Sequence, residues 1–288
     1  MIRSMTGFAR VERQTPHGRF SWEMRAVNHR YLDLSFKLPE EFRVLENELR
    51  SAAGDVVSRG KVEIALRYQR EVAAGTAIEL DAERLAQLRD AIDMVGESMG
   101  PMAVADPLRV LAYPGVVRAE QTDLSPLIAS ARVAFDELLA DFTATRTREG
   151  ERLQAFMIER CDSLLVQVDR VRERYPDVRS QWLDRLRSRC AELGVEVEPA
   201  RLAQEVAVAA TRLDVDEELS RLAAHIAEVH KILKRREAVG RRLDFLMQEL
   251  NREANTLSSK SQDAEMTRCG VDMKVLIEQM REQVQNVE

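Results

Sequence analysis

Two stretches of this chain set carboxylates, cations and a histidine at helical spacing, and the chemistry they could do comes first. In "GRRLDFLMQELNREANTLSSK", Gly240 to Lys260, the residues Glu249, Glu253, Thr256 and Lys260 share a stripe roughly 60° wide on a helix. Arg252 and Asn255 stand near this stripe; Leu243, Leu246, Met247, Leu250, Ala254 and Leu257 form the apolar face beside it. The stretch "LDVDEELSRLAAHIAEVHKIL" repeats the arrangement, with Asp214, Glu218, Arg221 and His225 flanking Leu219, Leu222, Ile226, Val229 and Leu233. Groups at the edge of an apolar face are partly desolvated, so their charges interact more strongly than fully exposed ones. If the two stripes face each other, Asp214, Glu218, Glu249 and Glu253 supply oxygen ligands suited to Mg2+ or Mn2+. His225 adds a ligand or a general acid/base, and Arg252 and Lys260 add positive charge for a phosphate. The inventory is that of a phosphodiesterase.

The same spacing admits a plainer reading. Glu218 with Arg221 and Glu249 with Arg252 are also ordinary helix ion pairs, each stabilising by a few tenths of a kcal/mol. His225 also fits a neutral histidine at a core edge. A second group, in "MRAVNHRYLDL", is equally two-sided. Arg25, Asn28, His29 and Arg30 beside Tyr31 combine cations with an aromatic, as RNA backbone and base contacts require, or form a polar connection between strands. Lys61 joins this patch if its strand starts beside it, and Arg241, at the head of the Gly240 stretch, is a further candidate for RNA contact.

The elements that must position these groups follow from periodicity. Phe20, Trp22, Met24 and Ala26 alternate with polar residues, as do Leu32, Leu34, Phe36 and Leu38, and again Val62, Ile64, Leu66 and Tyr68. Between the second and third runs, Phe42, Leu45, Leu49, Ala52 and Val56 recur at helical spacing, bounded by Pro39 and Gly60. With a strand around Met5 to Glu12 the order is β-β-β-α-β, a small sheet covered on one side by a helix. From about residue 81 the period becomes helical. "DAERLAQLRDAIDMVGESMG" is a capped helix ending at Gly100, and "PMAVADP" and "AYPG" supply breakers before a long helical region near Leu124. The expected fold is therefore α+β, with an N-terminal α+β domain over 1–123 and a long-helix domain over 124–288. Further helices are expected near 199–211, 215–239, 241–258 and 262–286, and the Arg- and Glu-rich run from Thr143 to Leu193 reads as a solvated helix face.

Composition sets the outer limits. The chain has 288 residues, 45% of them hydrophobic, 32% charged and only 5% aromatic, which favours long exposed helices. The net charge is -6, yet residues 1–70 hold 13 Lys and Arg against 9 Asp and Glu, a basic end compatible with a local nucleic-acid surface. No apolar run has the length of a signal peptide or a membrane span, so a cytoplasmic chain with no membrane contact is expected. Cys161, Cys190 and Cys269 are far apart and form no CxxC pair, which argues against a disulfide framework or a zinc-thiolate site. P-loop, GxGxxG, GxSxG and HExxH patterns do not occur.

Several blocks carry a resemblance: "MTGFAR" at Met5 to Arg10, "VNHRYLDLSFKLPE" at Val27 to Glu40, "RGKVE" at Arg59 to Glu63, "DEELSRLAAH" at Asp216 to His225, the Gly240 stretch, and "REQVQNVE" at the C-terminal end. In order and in content they resemble the bacterial YicC/YloC family. The resemblance implies a divalent-metal-dependent endoribonuclease that cuts RNA, assembles as a homohexamer and acts on small regulatory RNAs. It raises the facing-stripe arrangement above the ion-pair reading without choosing the catalytic residue. The alternative is a non-catalytic adaptor ring that binds RNA and presents it to other RNA-decay enzymes. "LSSK" stands where the family often has "LGSK", so Ser258 is expected to alter the local backbone.

Overall fold

A computed structural model describes residues 2–16, 18–70, 79–100, 106–117, 123–192, 200, 201, 203, 204, 206–208, 214–235 and 237–288. The fold is α+β, as expected. Strands β1 (Gly7–Thr15), β2 (Gly18–Val27), β3 (Leu32–Lys37) and β4 (Gly60–Arg70) form one sheet in the order β1-β2-β4-β3. The first three are antiparallel neighbours in that order, and β3 runs parallel to β4. A 3-10 turn (Glu40–Leu45) and α1 (Glu46–Val56) connect β3 to β4 as the crossover a parallel pair requires.

Period-two alternation sends Val11, Phe20, Trp22, Met24, Val62 and Ile64 to one face of the sheet, where Phe42, Leu49 and Ala53 meet them. The rest of that core comes from α4 (Ser125–Glu192), a helix of 68 residues and so roughly 100 Å along its path. Its first part packs Leu127, Ala131, Phe135, Leu138 and Phe142 onto the sheet, and the buried Trp22 Nε1 donates to the Ala131 carbonyl at 2.9 Å.

Farther along the same helix, Leu153, Met157, Cys161, Leu164, Val168, Val171 and Val178 face a second core, and most Arg and Glu residues between them are exposed, with Arg160 and Arg174 half-buried. That core is completed by α5 (Asp216–Leu233), α6 (Gly240–Lys260) and α7 (Ala264–Val284), each packed against the next, with α5 and α7 also against α4. The packing thus changes from sheet core to bundle core inside α4, between Phe142 and Leu153, whereas the compositional shift lies near 123. Pro176 does not end the helix. The helix expected over 199–211 falls largely outside the described residues. Asp263 caps α7 by accepting from the Glu265 and Met266 amides. The Arg174 guanidinium at 3.1 Å holds its carboxyl below the usual range, so this cap persists at neutral pH and is lost only as pH falls. Among the described residues no helix is long and apolar enough to cross a membrane.

α2 (Ala82–Met99) and the short α3 (Pro107–Leu111) stand apart from both cores. Asp81 caps α2 through the Arg84 amide and Gly100, at φ 88°, ends it. Among the described residues none in α2 is buried.

The two cores are tied at Arg146, which is 2% exposed. Its Nε donates to the Ser4 carbonyl at 2.6 Å, and its Nη2 pairs with the Glu288 carboxylate, which also accepts from Ser58. Ser4 bridges Val287 as a strand would, the Ser4 amide donates to the Arg146 carbonyl, and the Glu288 amide donates to the Arg3 carbonyl. Gly150 lets the first residues cross α4, because a Cβ there would lie 2.0 Å from the Ile2 carbonyl oxygen. Replacing Arg146 by Met leaves a largely buried carboxylate without its cation, and urea unfolding should show a loss of about 3 kcal/mol. Gly150→Ala should also destabilise, and changes below about 0.5 kcal/mol in both would show that the knot is not what joins the cores.

Candidate active site on the seam between two antiparallel helices

The apolar faces of α5 and α6 are buried against each other and the bundle, which sets their polar edge residues in register along an antiparallel seam. Four cross-helix contacts mark it. Lys260 Nζ donates to Glu218 Oε1 at 2.8 Å, Arg221 Nη1 reaches Glu253 Oε1 at 3.4 Å, His225 lies beside Glu249 and Glu253, and Arg242 Nη2 donates to Glu228 Oε1 at 2.7 Å. The two stripes therefore do face each other.

Three of the four contacts pair a cation with a carboxylate. The third does not: one ligand atom each from His225, Glu249 and Glu253 lies within 4.8 Å of the others. Glu253 is 3% exposed, and its ion pair with Arg221 is long. Among the described residues Glu249 pairs with its own-helix neighbour Arg252, at 3.6 Å. Two carboxylates this close, one of them buried, repel unless a proton or cation lies between them, so the donor set fits a divalent ion. One imidazole nitrogen with two carboxylates suits Mn2+ better than Mg2+, which favours oxygen alone.

The other residues singled out in the sequence are placed differently. Asp214 does not join this trio; its Oδ1 accepts from the Asp216 amide at 3.0 Å at the start of α5, and its carbonyl accepts from Lys260 at 2.7 Å. Glu218, 6% exposed, is held by Lys260 through Oε1, while Oε2 has no hydrogen-bond partner among the described residues. Lys260 thus has two of its three protons engaged in locking the end of α6 onto the start of α5. Arg252 is 66% exposed and pairs with Glu249 at 3.6 Å. The Thr256 hydroxyl bonds back to the Arg252 carbonyl. Ser258 is helical like its neighbours and its hydroxyl returns to the Ala254 carbonyl at 2.8 Å, so the expected backbone change is absent. Gly270 of α7 instead makes the room, since a Cβ there would meet Ser258 Oγ at 2.5 Å. Cys161 is buried and its thiol is pushed up to about 12 by that burial, so it is no nucleophile.

A basic patch lies at the end of the sheet where β2 finishes and β4 begins. Arg25, Asn28, His29, Arg30 and Lys61 are all exposed there. Arg30 stands 5.3 Å from the centroid of the Tyr31 ring. Asn28 Nδ2 donates to the Gln285 carbonyl at 2.7 Å and ties the loop to the end of α7. A cavity of about 310 Å3 brings Asn28 together with Arg241 and with Arg59, whose buried Nε has no partner among the described residues. Arg59 is absent from the sequence-derived set; its only signal is its place before Gly60 in "RGKVE". From Arg241 to Glu249 and Glu253 is 8 and 12 residues of one helix, roughly 12 to 18 Å along the axis.

The profile described as "Endoribonuclease YicC-like, N-terminal region" matches residues 2–155, and that described as "Endoribonuclease YicC-like, C-terminal" matches residues 171–288. The two matches cover the sheet with the first part of α4 and then the bundle. A protein of Haemophilus influenzae named "Probable endoribonuclease YicC" is 45% identical over 288 residues, and one of the same name from Clostridioides difficile is 30% identical over 296, each alignment covering the whole of both chains. With both halves of the sequence matched in order and over their full span, the chain belongs to the YicC-like endoribonuclease family.

Proposed function

We propose that this chain is a divalent-metal-dependent endoribonuclease whose centre is the His225, Glu249 and Glu253 trio, with Mn2+ or Mg2+ as the ion. The observation that carries this reading is the place on the α5–α6 seam where two carboxylates, one of them buried, meet a histidine, while their guanidinium partners stand at the longer distances of 3.4 Å and 3.6 Å. When bound there, the ion supplies positive charge to the phosphate as it becomes pentacoordinate. The chain's own residues do the rest. Glu249, Glu253 and His225 hold the ion, and Arg221 orients Glu253. Arg252, exposed beside Glu249, adds a cation at the phosphate oxygens. Glu218, Asp214 and Lys260 act one step away, fixing the register of the two helices.

RNA reaches this centre from the basic patch. Arg25, Asn28, His29, Arg30, Lys61 and Arg241 bind the backbone, and α6 leads from Arg241 to the acids. Turnover of small regulatory RNAs in a reducing cytoplasm fits three cysteines that are all free. Assembly of several copies, six on the family resemblance, would set several basic patches around one RNA. The support in this chain is α2, where Leu85, Leu88, Ile92, Val95 and Met99 repeat at three and four residues without any of them being buried. The rival, an adaptor that binds RNA without cutting it, needs the patch but not the trio.

With labelled RNA and added Mn2+, Glu253→Gln and His225→Ala should each slow cleavage by at least about 100-fold while leaving RNA binding intact. Mn2+ should raise the unfolding temperature of the wild-type chain, and this rise should vanish in Glu253→Gln. Unaltered cleavage in both variants would remove the trio, and RNA binding with no cleavage under any metal would establish the adaptor instead. The double change Leu88→Asp and Ile92→Asp should reduce the oligomer to smaller species in light scattering; an unchanged mass would show that α2 is not the contact.

A further inference from the structure

Among the described residues the sheet is covered on one face only, and the other face has a composition that solubility does not require. Register fixes its rows: Phe8, Arg25, Glu63 and Ser35 lie side by side across the four strands, and Val27, Lys61 and Asp33 form the next row. Phe8 is 54% exposed although it sits on a strand whose other face packs Ala9 and Val11 into the core. Among the described residues neither a second ring nor a cation is stacked on it.

The cations of this face divide into two sets. Arg10 and Arg67 pair with Glu23, Arg19 with Glu12, and Lys37 with Glu63. Arg25 and Lys61 pair with no carboxylate among the described residues, even though Glu63 adjoins Arg25 in the row. These two unpaired charges lie on one side of the exposed aromatic, which stands on the edge strand β1: Arg25 on β2 is its direct cross-strand partner, about 5 Å away between Cβ atoms, and Lys61 on β4 lies diagonally beyond, about 7 Å from Arg25. At the same end of the sheet, Tyr31 is 65% exposed with Arg30 against it.

We propose that Phe8 is a stacking platform for an unpaired RNA base, with Arg25 and Lys61 holding the adjoining phosphates, so that the open sheet face selects single-stranded segments. A ring on the edge strand with two uncommitted cations leading away from it across the sheet offers a base its π-face and the adjoining backbone its charge, whereas a duplex keeps its bases stacked away from any such ring. The inference rests on the RNA-cutting reading above and adds to it the residue that recognises the strand.

The test compares a labelled unstructured oligoribonucleotide with a fully paired RNA hairpin, by fluorescence anisotropy, on full-length protein. Phe8→Ala should weaken binding of the unstructured RNA roughly 5-fold to 100-fold, leave duplex binding unchanged and keep the slope of affinity against salt. Phe8→Trp should restore the loss. Arg25→Ala should instead flatten the salt slope by about 1. Since Phe8 is half exposed, circular dichroism and thermal unfolding of Phe8→Ala should match wild type. Unstructured RNA bound equally by wild type and Phe8→Ala, or a parallel loss for both RNAs, would overturn the stacking assignment and leave the trio's role in cleavage standing. No RNA bound by the wild-type chain would overturn both.

Discussion

The buried guanidinium of Arg146 is the point on which the rest of the architecture depends. A cation 2% exposed is tolerated only where its donors find acceptors, and here they come from opposite ends of the chain, the Ser4 carbonyl and the Glu288 carboxylate. Because Arg146 lies on α4 between the part that closes the sheet core and the part that closes the bundle core, the pairing holds both in one frame. The cavity between Asn28, Arg59 and Arg241 is formed at this junction, lined also by Met5 and Val287. Removing the knot would leave two separately reasonable cores with nothing to hold this cavity between them.

The seam between α5 and α6 shows how ordinary ion pairs can build an unusual centre. Pairs such as Arg242 with Glu228 are exposed and stabilise little individually. Their value is alignment. With Lys260 on Glu218 at one end and Arg242 on Glu228 at the other, the antiparallel register is set, and it brings Glu249 and Glu253 opposite His225. A slip of one turn, ~5.4 Å, would put Lys260 near Arg221 and remove the trio. On the proposed reading the stripes are structural at their outer contacts and functional at the inner one, which the outer contacts hold in place.

Much of this was legible from residue spacing. Period-two runs predicted the strands, Asp81 and Gly100 bounded α2, and the two stripes offered polar edges that could face each other. What escaped were features with no local pattern. Whether Asp214 turns toward the acids or caps its own helix depends on a competition between an amide two residues on and a distant ligand, and both choices fit the same spacing. Lys260 reads as a cation for phosphate until its engagement with Glu218 and the Asp214 carbonyl is seen. Arg146 reads as one arginine among many on a charged helix, since nothing beside it signals that the chain's first and last residues meet there. Ser258 shows the same lesson from the other side: the space a glycine would leave is supplied by Gly270 across the bundle.

The chain as a whole is acidic, and this bears on how the patch and the centre must work together. A polyanion approaching a protein of net charge -6 is attracted only locally, where Arg25, Lys61, Arg59 and Arg241 stand. At the trio the sign reverses: a phosphate about 5 Å from one carboxylate meets a repulsion on the order of 3 kcal/mol at an effective dielectric of about 20, and two carboxylates act there. Arg252 offsets part of this, from an exposed position where its effect is screened. On the proposed reading, ion binding at the trio and productive seating of RNA are therefore coupled, each strengthening the other by the same free energy. RNA held by the sheet face alone has no such dependence, so the division of labour between the two halves becomes a division between metal-independent capture and metal-dependent seating.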